Sequence, residues 1–142
     1  MRPTARRFAL LLLATACSLD PIGDDVEPET GPGTVYSLVS VNGSAVPAQV
    51  VQAQSVVEVT RGALTLATDS SFILSYIVRA RAGSSEQVGT ITTRGQFGLA
   101  GGQLQMRVVG DTAIRYRGSY TATDVSVADV SVPNGDQFVF RR

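Results

Sequence analysis

The 142-residue chain predicts an all-β fold, a single small antiparallel up-and-down meander barrel of about eight strands, with a β-sandwich as the alternative. Three observations predict it. From Thr34 onward β-branched residues dominate, apolar and polar residues alternate at a period of two, and glycine-rich turn signals recur at short intervals. No apolar repeat of 3.6 residues persists beyond about ten residues, which excludes a helical domain.

The corners come first. Asn42-Gly43, Asp69-Ser70, Gly83-Ser84-Ser85, Gly101-Gly102, Gly110-Asp111 and Asn134-Gly135 mark turns, several of them strong hairpin dipeptides. Between them lie runs of strand length near 34–41, 55–60, 63–67, 71–81, 87–98, 103–109, 113–122, 125–131 and 136–141, of which one or two are expected to fuse or fail.

Alternation assigns the faces. Phe72, Leu74, Tyr76, Val78 and Ala80 share one face, with Ser71, Ser75, Arg79 and Arg81 on the other. Leu104, Met106 and Val108 oppose Gln103, Gln105 and Arg107, and Ile114, Tyr116, Gly118 and Tyr120 oppose Arg115, Arg117, Ser119 and Thr121. Phe138 and Phe140 oppose Gln137, Val139 and Arg141. Each strand is therefore expected to have one buried and one wet face. Short strands joined by hairpins best remove their edges by closing, so the last strand is expected beside the first, with Phe138 and Phe140 in the core.

The N-terminus follows a different grammar. Arg2, Arg6 and Arg7 precede the apolar run Phe8 to Ala16, which is about nine residues, far short of the roughly 20 that span a bilayer as a helix. Residues 1–16 read as a secretory signal peptide. Ala14-Thr15-Ala16-Cys17 resembles the lipobox of bacterial lipoproteins, with Ala14 where that family usually has Leu; ordinary signal-peptidase cleavage is the alternative. The resemblance implies lipidation at Cys17, the only cysteine, as diacylglycerol thioether plus an N-terminal acyl chain such as palmitate. Three chains anchor a protein stably where one does not. Ser18 after the cysteine implies, by the same resemblance, the outer membrane, with the domain periplasm-facing or surface-exposed.

Residues 17–33 then read as the lipidated cysteine and a tether. Five acids and no arginine lie between Ser18 and Gly33, with Pro21, Pro28 and Pro32 among them. Such a segment buries too little apolar surface to offset its ordering entropy, and like charge and proline extend it, so it is expected to be disordered. The third unit, 34–142, is the β domain. It holds nine arginines against seven acids, with no lysine or histidine, a balance too weak to predict nucleic-acid binding.

Several residue patterns in the domain resemble those of the lipocalin-like domains of small bacterial lipoproteins. They are Tyr36-x-Leu38-x-x-Val41-Asn42-Gly43 with Pro47, Gly62-Ala63-Leu64-Thr65-Leu66-x-x-Asp69-x-x-Phe72 with Ser70 where Gly is usual, Gly118-Ser119-Tyr120, and Phe138-Val139-Phe140-Arg141-Arg142. The resemblance implies a small up-and-down barrel and transfers no activity.

No catalytic or metal constellation stands out, and no cofactor is predicted. The lack of histidine and of a free thiol removes the commonest acids, bases and nucleophiles. Asp124, Asp129 and Glu58 read as solvated surface carboxylates, Glu58 pointing outward if Val57 and Val59 point in. Arg79, Arg81, Arg107, Arg115 and Arg117 read either as a basic band for an anionic partner or as charges that keep sheet surfaces apart. Phe72, Tyr76, Tyr116 and Tyr120 are the possible ligand-lining residues, if the barrel encloses a pocket of about 300 Å³ or more. Asn42-Gly43-Ser44 matches a glycosylation acceptor but reads as a hairpin turn. The function these features predict is a non-enzymatic cell-envelope lipoprotein that binds a small apolar ligand inside or an envelope protein at its rim. The alternative is a structural or inhibitory module with a filled core and no ligand.

Overall fold

A computed structural model describes residues 26–52 and 55–142, so the expected signal peptide, Cys17 and residues 18–25 lie outside the described residues. Ten strands follow one another: β1 (Thr34–Val41), β2 (Ser44–Ala45), β3 (Ala48–Gln52), β4 (Ser55–Leu66), β5 (Ser71–Ala82), β6 (Ser85–Ala100), β7 (Gln103–Val108), β8 (Tyr116–Tyr120), β9 (Asp124–Asp129) and β10 (Gln137–Arg141). They form one sheet in which β4 to β10 pair in chain order, and β1 pairs with both β10 and β4. The sheet closes on itself as an eight-stranded antiparallel up-and-down barrel. β2 and β3 are extra strands on the edges of β1 and β4.

Closure uses two different stretches of β1. Ser37 to Val41 pair with Phe138 to Arg141 on one side, and Thr34 to Ser37 pair with Ala63 to Leu66 on the other. Beyond Ser37 strands β1 and β4 part. There β2 takes the edge of β1 at Ser40 and Val41, and β3 takes the edge of β4 from Ser55 to Val59. Register shifts between Leu38 and Ser40 and between Val59 and Arg61 bend both strands at that point. The two runs read at 55–60 and 63–67 are thus one bulged strand, and the short strands after Asn42 carry too few residues for a period-two signal.

The turns form as their residues dictate. Asn42 and Gly43 both have positive φ, as a two-residue hairpin of primed type requires. Asn42 also ties this turn to the far end of the chain. Its Nδ2 donates to Asp136 Oδ1 at 2.8 Å and its Oδ1 accepts from Gln137 N at 2.8 Å, so the amide is part of the seam between β1 and β10. At the β4–β5 corner Ser70 takes φ 66, in the left-handed region that glycine usually fills. Asp69 caps that corner by accepting from both the backbone N–H and the hydroxyl of Ser71, which hold its carboxyl below the usual range.

The inward faces match the alternation. Tyr36, Leu38, Leu64, Phe72, Leu74, Leu104, Met106, Val125, Val127, Phe138 and Phe140 belong to one buried cluster. Inward glycines, Gly95 and Gly118 among them, let the wall curve tightly over it. A Cβ at Gly95 would stand 1.9 Å from the Arg107 carbonyl oxygen, and the Phe72 ring fills the space above it.

One face departs from the expectation. Alternation puts Ser75 on a wet face, yet it is buried, as are its outward-facing neighbours Thr65, Ile77 and Ala63. The cover comes from residues 26–33, expected to belong to a disordered tether. They lie as a strap across the outside of β4, β5 and β6. Composition alone misjudged this stretch, because its carboxylates find arginine partners on the barrel wall that no local reading places there.

Candidate functional site

The barrel interior is the first place to look for a ligand site, and side chains occupy it. Phe72 is 2 % exposed, Tyr116 4 % and Tyr76 9 %. The Tyr76 ring packs on Phe138 with centroids 5.4 Å apart, and Phe138 stacks on Phe140 at 6.4 Å. Tyr116 turns its hydroxyl to Thr93, and burial pushes its pKa up. Of the four residues read as possible ligand-lining, these three sit within the packed core. Tyr120 does not: it is 40 % exposed at the barrel mouth.

Tyr120 packs there against Tyr36, an aromatic outside the four possible ligand-lining residues. The two rings meet edge to face at 6.3 Å. Burial, then the hydrogen bond with Tyr120, pushes the Tyr36 phenol from 10.0 up to about 12. The folded pKa is raised, so the contribution to stability is complete below about 10 and is lost as pH rises through about 12. Alkaline unfolding followed by phenolate absorbance is expected in that window, and Tyr36→Phe is expected to shift its midpoint upward. An unshifted midpoint would mean that another group governs it.

The open clefts lie outside the barrel. A groove of about 400 Å³ runs between Gly95, Gln96 and the β7 end at Arg107 to Asp111, open to solvent. A second, of about 230 Å³, lies beside the strap and is lined by Val26, Pro47, Thr60, Arg61, Ile77, Arg79 and Val88. None of the clefts described is lined by Phe72, Tyr76, Tyr116 or Tyr120.

The arginines do not form one band. Arg79 lies 3.7 Å from Glu58 and 3.3 Å from Glu86, and Arg81 lies 3.0 Å from Glu86, so one end of β5 is a mixed-charge patch. Arg115 pairs with Asp129 at 3.3 Å and lies over the Tyr116 ring at 5.6 Å. Arg107 and Arg117 lie beside Arg115 on the outside of β7 and β8, since Arg117 pairs with Gln105 and the Arg115 N–H donates to the Met106 carbonyl, so these three form a group apart from Arg79 and Arg81. The carboxylates weighed from sequence serve structure: Asp124 accepts from Thr123 and Arg141, which hold its pKa below the usual range, and Asp129 caps the turn at Ser131. Glu58 faces outward, as its neighbours predicted.

The strap is the most specific polar arrangement on the surface. Glu27 Oε1 accepts from Arg61 Nη1 at 2.6 Å, and Glu29 pairs with Arg94. Between these pairs the Glu29 backbone N–H donates to Ser75 Oγ at 2.9 Å, and Ser75 Oγ lies 3.1 Å from Thr92 Oγ1. Gly31 passes so close to Ile73 that a Cβ there would stand 2.8 Å from Ile73 Cδ1. The chain is thus held by two carboxylates, one amide and a close apolar approach.

Exposed apolar residues mark the barrel ends. In an up-and-down barrel alternate connections share an end, which puts Val51 and Val56 of the β3–β4 hairpin with Val109, Val130 and Val132 of the long loops. No protein-family model matches the chain, and no curated protein is detectably similar to it.

Proposed function

We propose that this protein is a lipid-anchored binding module of the bacterial cell envelope, held by an acylated Cys17 and working without catalysis through the outside and rim of its barrel. The packed interior carries the reading. A small apolar ligand inside would have to displace Phe72, Tyr76, Phe138 or Phe140 side chains that are at most 9 % exposed, and close-packed cores resist such changes. The outside, by contrast, offers open grooves, the strap and a rim of exposed valines. An envelope protein is the partner such a surface fits best. The lipobox resemblance at Ala14 to Cys17 supports the anchor, Ser18 supports the outer membrane, and the lipocalin-like residue patterns agree with a small barrel in such a lipoprotein.

Mass spectrometry and fractionation of protein taken from its native membrane test both halves. The wild type is expected in the membrane fraction with acyl mass on Cys17 and no co-purified apolar molecule, and Cys17→Ser is expected to leave that fraction. A variant that stays with the membrane defeats the anchor. A stoichiometric apolar ligand in the wild type defeats the filled-core reading and restores an interior site.

A further inference from the structure

We propose that the outer face of β4, β5 and β6 is a docking groove for an extended acidic peptide, and that residues 26–33 occupy it in cis as a displaceable strap. The proposal deepens the surface-binding reading above by naming the site, and it rests on that reading for a partner in the envelope.

Four observations carry it. The groove reads charge at a fixed spacing: Arg61 and Arg94 take carboxylates two residues apart, Glu27 and Glu29. It reads backbone too, since Ser75 Oγ accepts from the Glu29 N–H while held by Thr92. It closes in on the strap further on, because a Cβ at Gly31 would stand 2.8 Å from Ile73 Cδ1. These are the elements of extended-peptide recognition, with acidic side chains met by an arginine cluster and the backbone met by a fixed polar group. The occupant must be extended, and Pro28 between the two glutamates favours that form.

The fourth observation is that the strap fits imperfectly. Thr65 Oγ1, outward-facing between Val35 and Ile73 and 1 % exposed, has no hydrogen-bond partner. A buried hydroxyl left unpaired has lost its water without replacement, so an occupant that reaches Thr65 gains what the strap forgoes. The holding ion pairs are weak as well. Glu27 is 74 % exposed and Arg94 53 %, and exposed pairs contribute little and are screened by salt. The strap persists because it is tethered, at an effective concentration on the order of millimolar. A stronger peptide of the same chemistry displaces it.

The test uses the full chain and a labelled synthetic peptide of the strap sequence, Val26 to Gly33. Glu27→Arg with Glu29→Arg repels the strap from Arg61 and Arg94, and this variant is expected to bind the free peptide at least about tenfold tighter than the wild type. Adding Arg61→Glu and Arg94→Glu is expected to abolish that binding. Equal binding to wild type and strap variant, or none to the variant, overturns the proposal. A second measurement needs no variant: glutamyl endopeptidase is expected to cut the wild type slowly at Glu29–Thr30, and saturating free peptide is expected to speed that cut severalfold by freeing the strap. No acceleration overturns displacement. Neither readout depends on the anchor, so a Cys17→Ser protein that stays with the membrane removes the lipoprotein reading and leaves the groove standing.

Discussion

Truncating Phe140 to alanine is expected to cost about 3–5 kcal/mol, the range for a phenylalanine deleted from a packed core. Phe140 is 0 % exposed and sits where the barrel closes, with Leu38 of β1 opposite it on one side and Val125 of β9 on the other. Its ring also stacks on Phe138. The cavity would open in the seam that joins the two ends of the chain, where no cross-link among the described residues holds β10 in place. Against a typical domain stability of about 5–15 kcal/mol, the loss lowers the melting temperature by on the order of 15 °C. Val139→Ala is the control, one residue away and facing outward, and is expected to cost less than about 1 kcal/mol. Equal losses for the two variants would overturn the inward assignment of Phe138 and Phe140.

Adding a single methyl group at Gly118 is expected to be about as damaging as removing the Phe140 ring. A Cβ there would stand 1.7 Å from the Ser126 carbonyl oxygen, 2.7 Å from its carbon and 2.8 Å from Val127 Cα. All three are backbone atoms of the neighbouring strand, so no rotamer change relieves the contact. Strand β9 must move away, and with it the pairing of Tyr116 to Tyr120 that positions β8. Overpacking that side chains can absorb costs about 1–3 kcal/mol, and a clash with fixed backbone lies at or above the top of that range. Gly98→Ala supplies the contrast: nothing lies within 4 Å of a Cβ at that exposed strand position, so its effect is expected within about 0.5 kcal/mol. Denaturant midpoints of the two alanine variants decide the matter, since comparable shifts would show that strand propensity rather than close approach sets the need for glycine at 118.

Much of this barrel is legible in the sequence. The faces of β5, β7 and β10 follow from Phe72 to Val78, Leu104 to Val108 and Phe138 to Phe140, because a strand turns successive side chains to opposite sides whatever surrounds it. Turn dipeptides such as Asn42-Gly43 act through their own φ preferences and are equally local. The strap is not legible in the same way, although a trace of it stands in the sequence: Ile73 and Ile77 fall on the face of β5 that alternation makes wet, between Ser71, Ser75 and Arg79. Two isoleucines on an outward face call for a cover. Residues 26–33 gave no local sign of supplying it, because what binds them is Arg61, Arg94 and Ser75, three groups on three strands.

The same division holds for the candidate site. Period-two patterning placed Phe72, Tyr76 and Tyr116 inside, but whether an eight-stranded barrel leaves room between them depends on how side chains from opposite walls meet, which no single strand records. Likewise the five arginines shared outward faces in sequence, and only the neighbour order of the strands decided that Arg79 and Arg81 meet Glu86 while Arg115 meets Asp129. By itself the sequence determined the class of fold, the inward and outward residues of most strands, and the pairing of first strand with last, since these follow from backbone geometry and the need to bury one face of every strand. The tertiary structure alone decided that the interior is filled, that β2 and β3 fill the gap where β1 and β4 part, and that an acidic strap covers the outer wall. Those outcomes rest on contacts between residues far apart in the chain, which arise only when the sheet has closed.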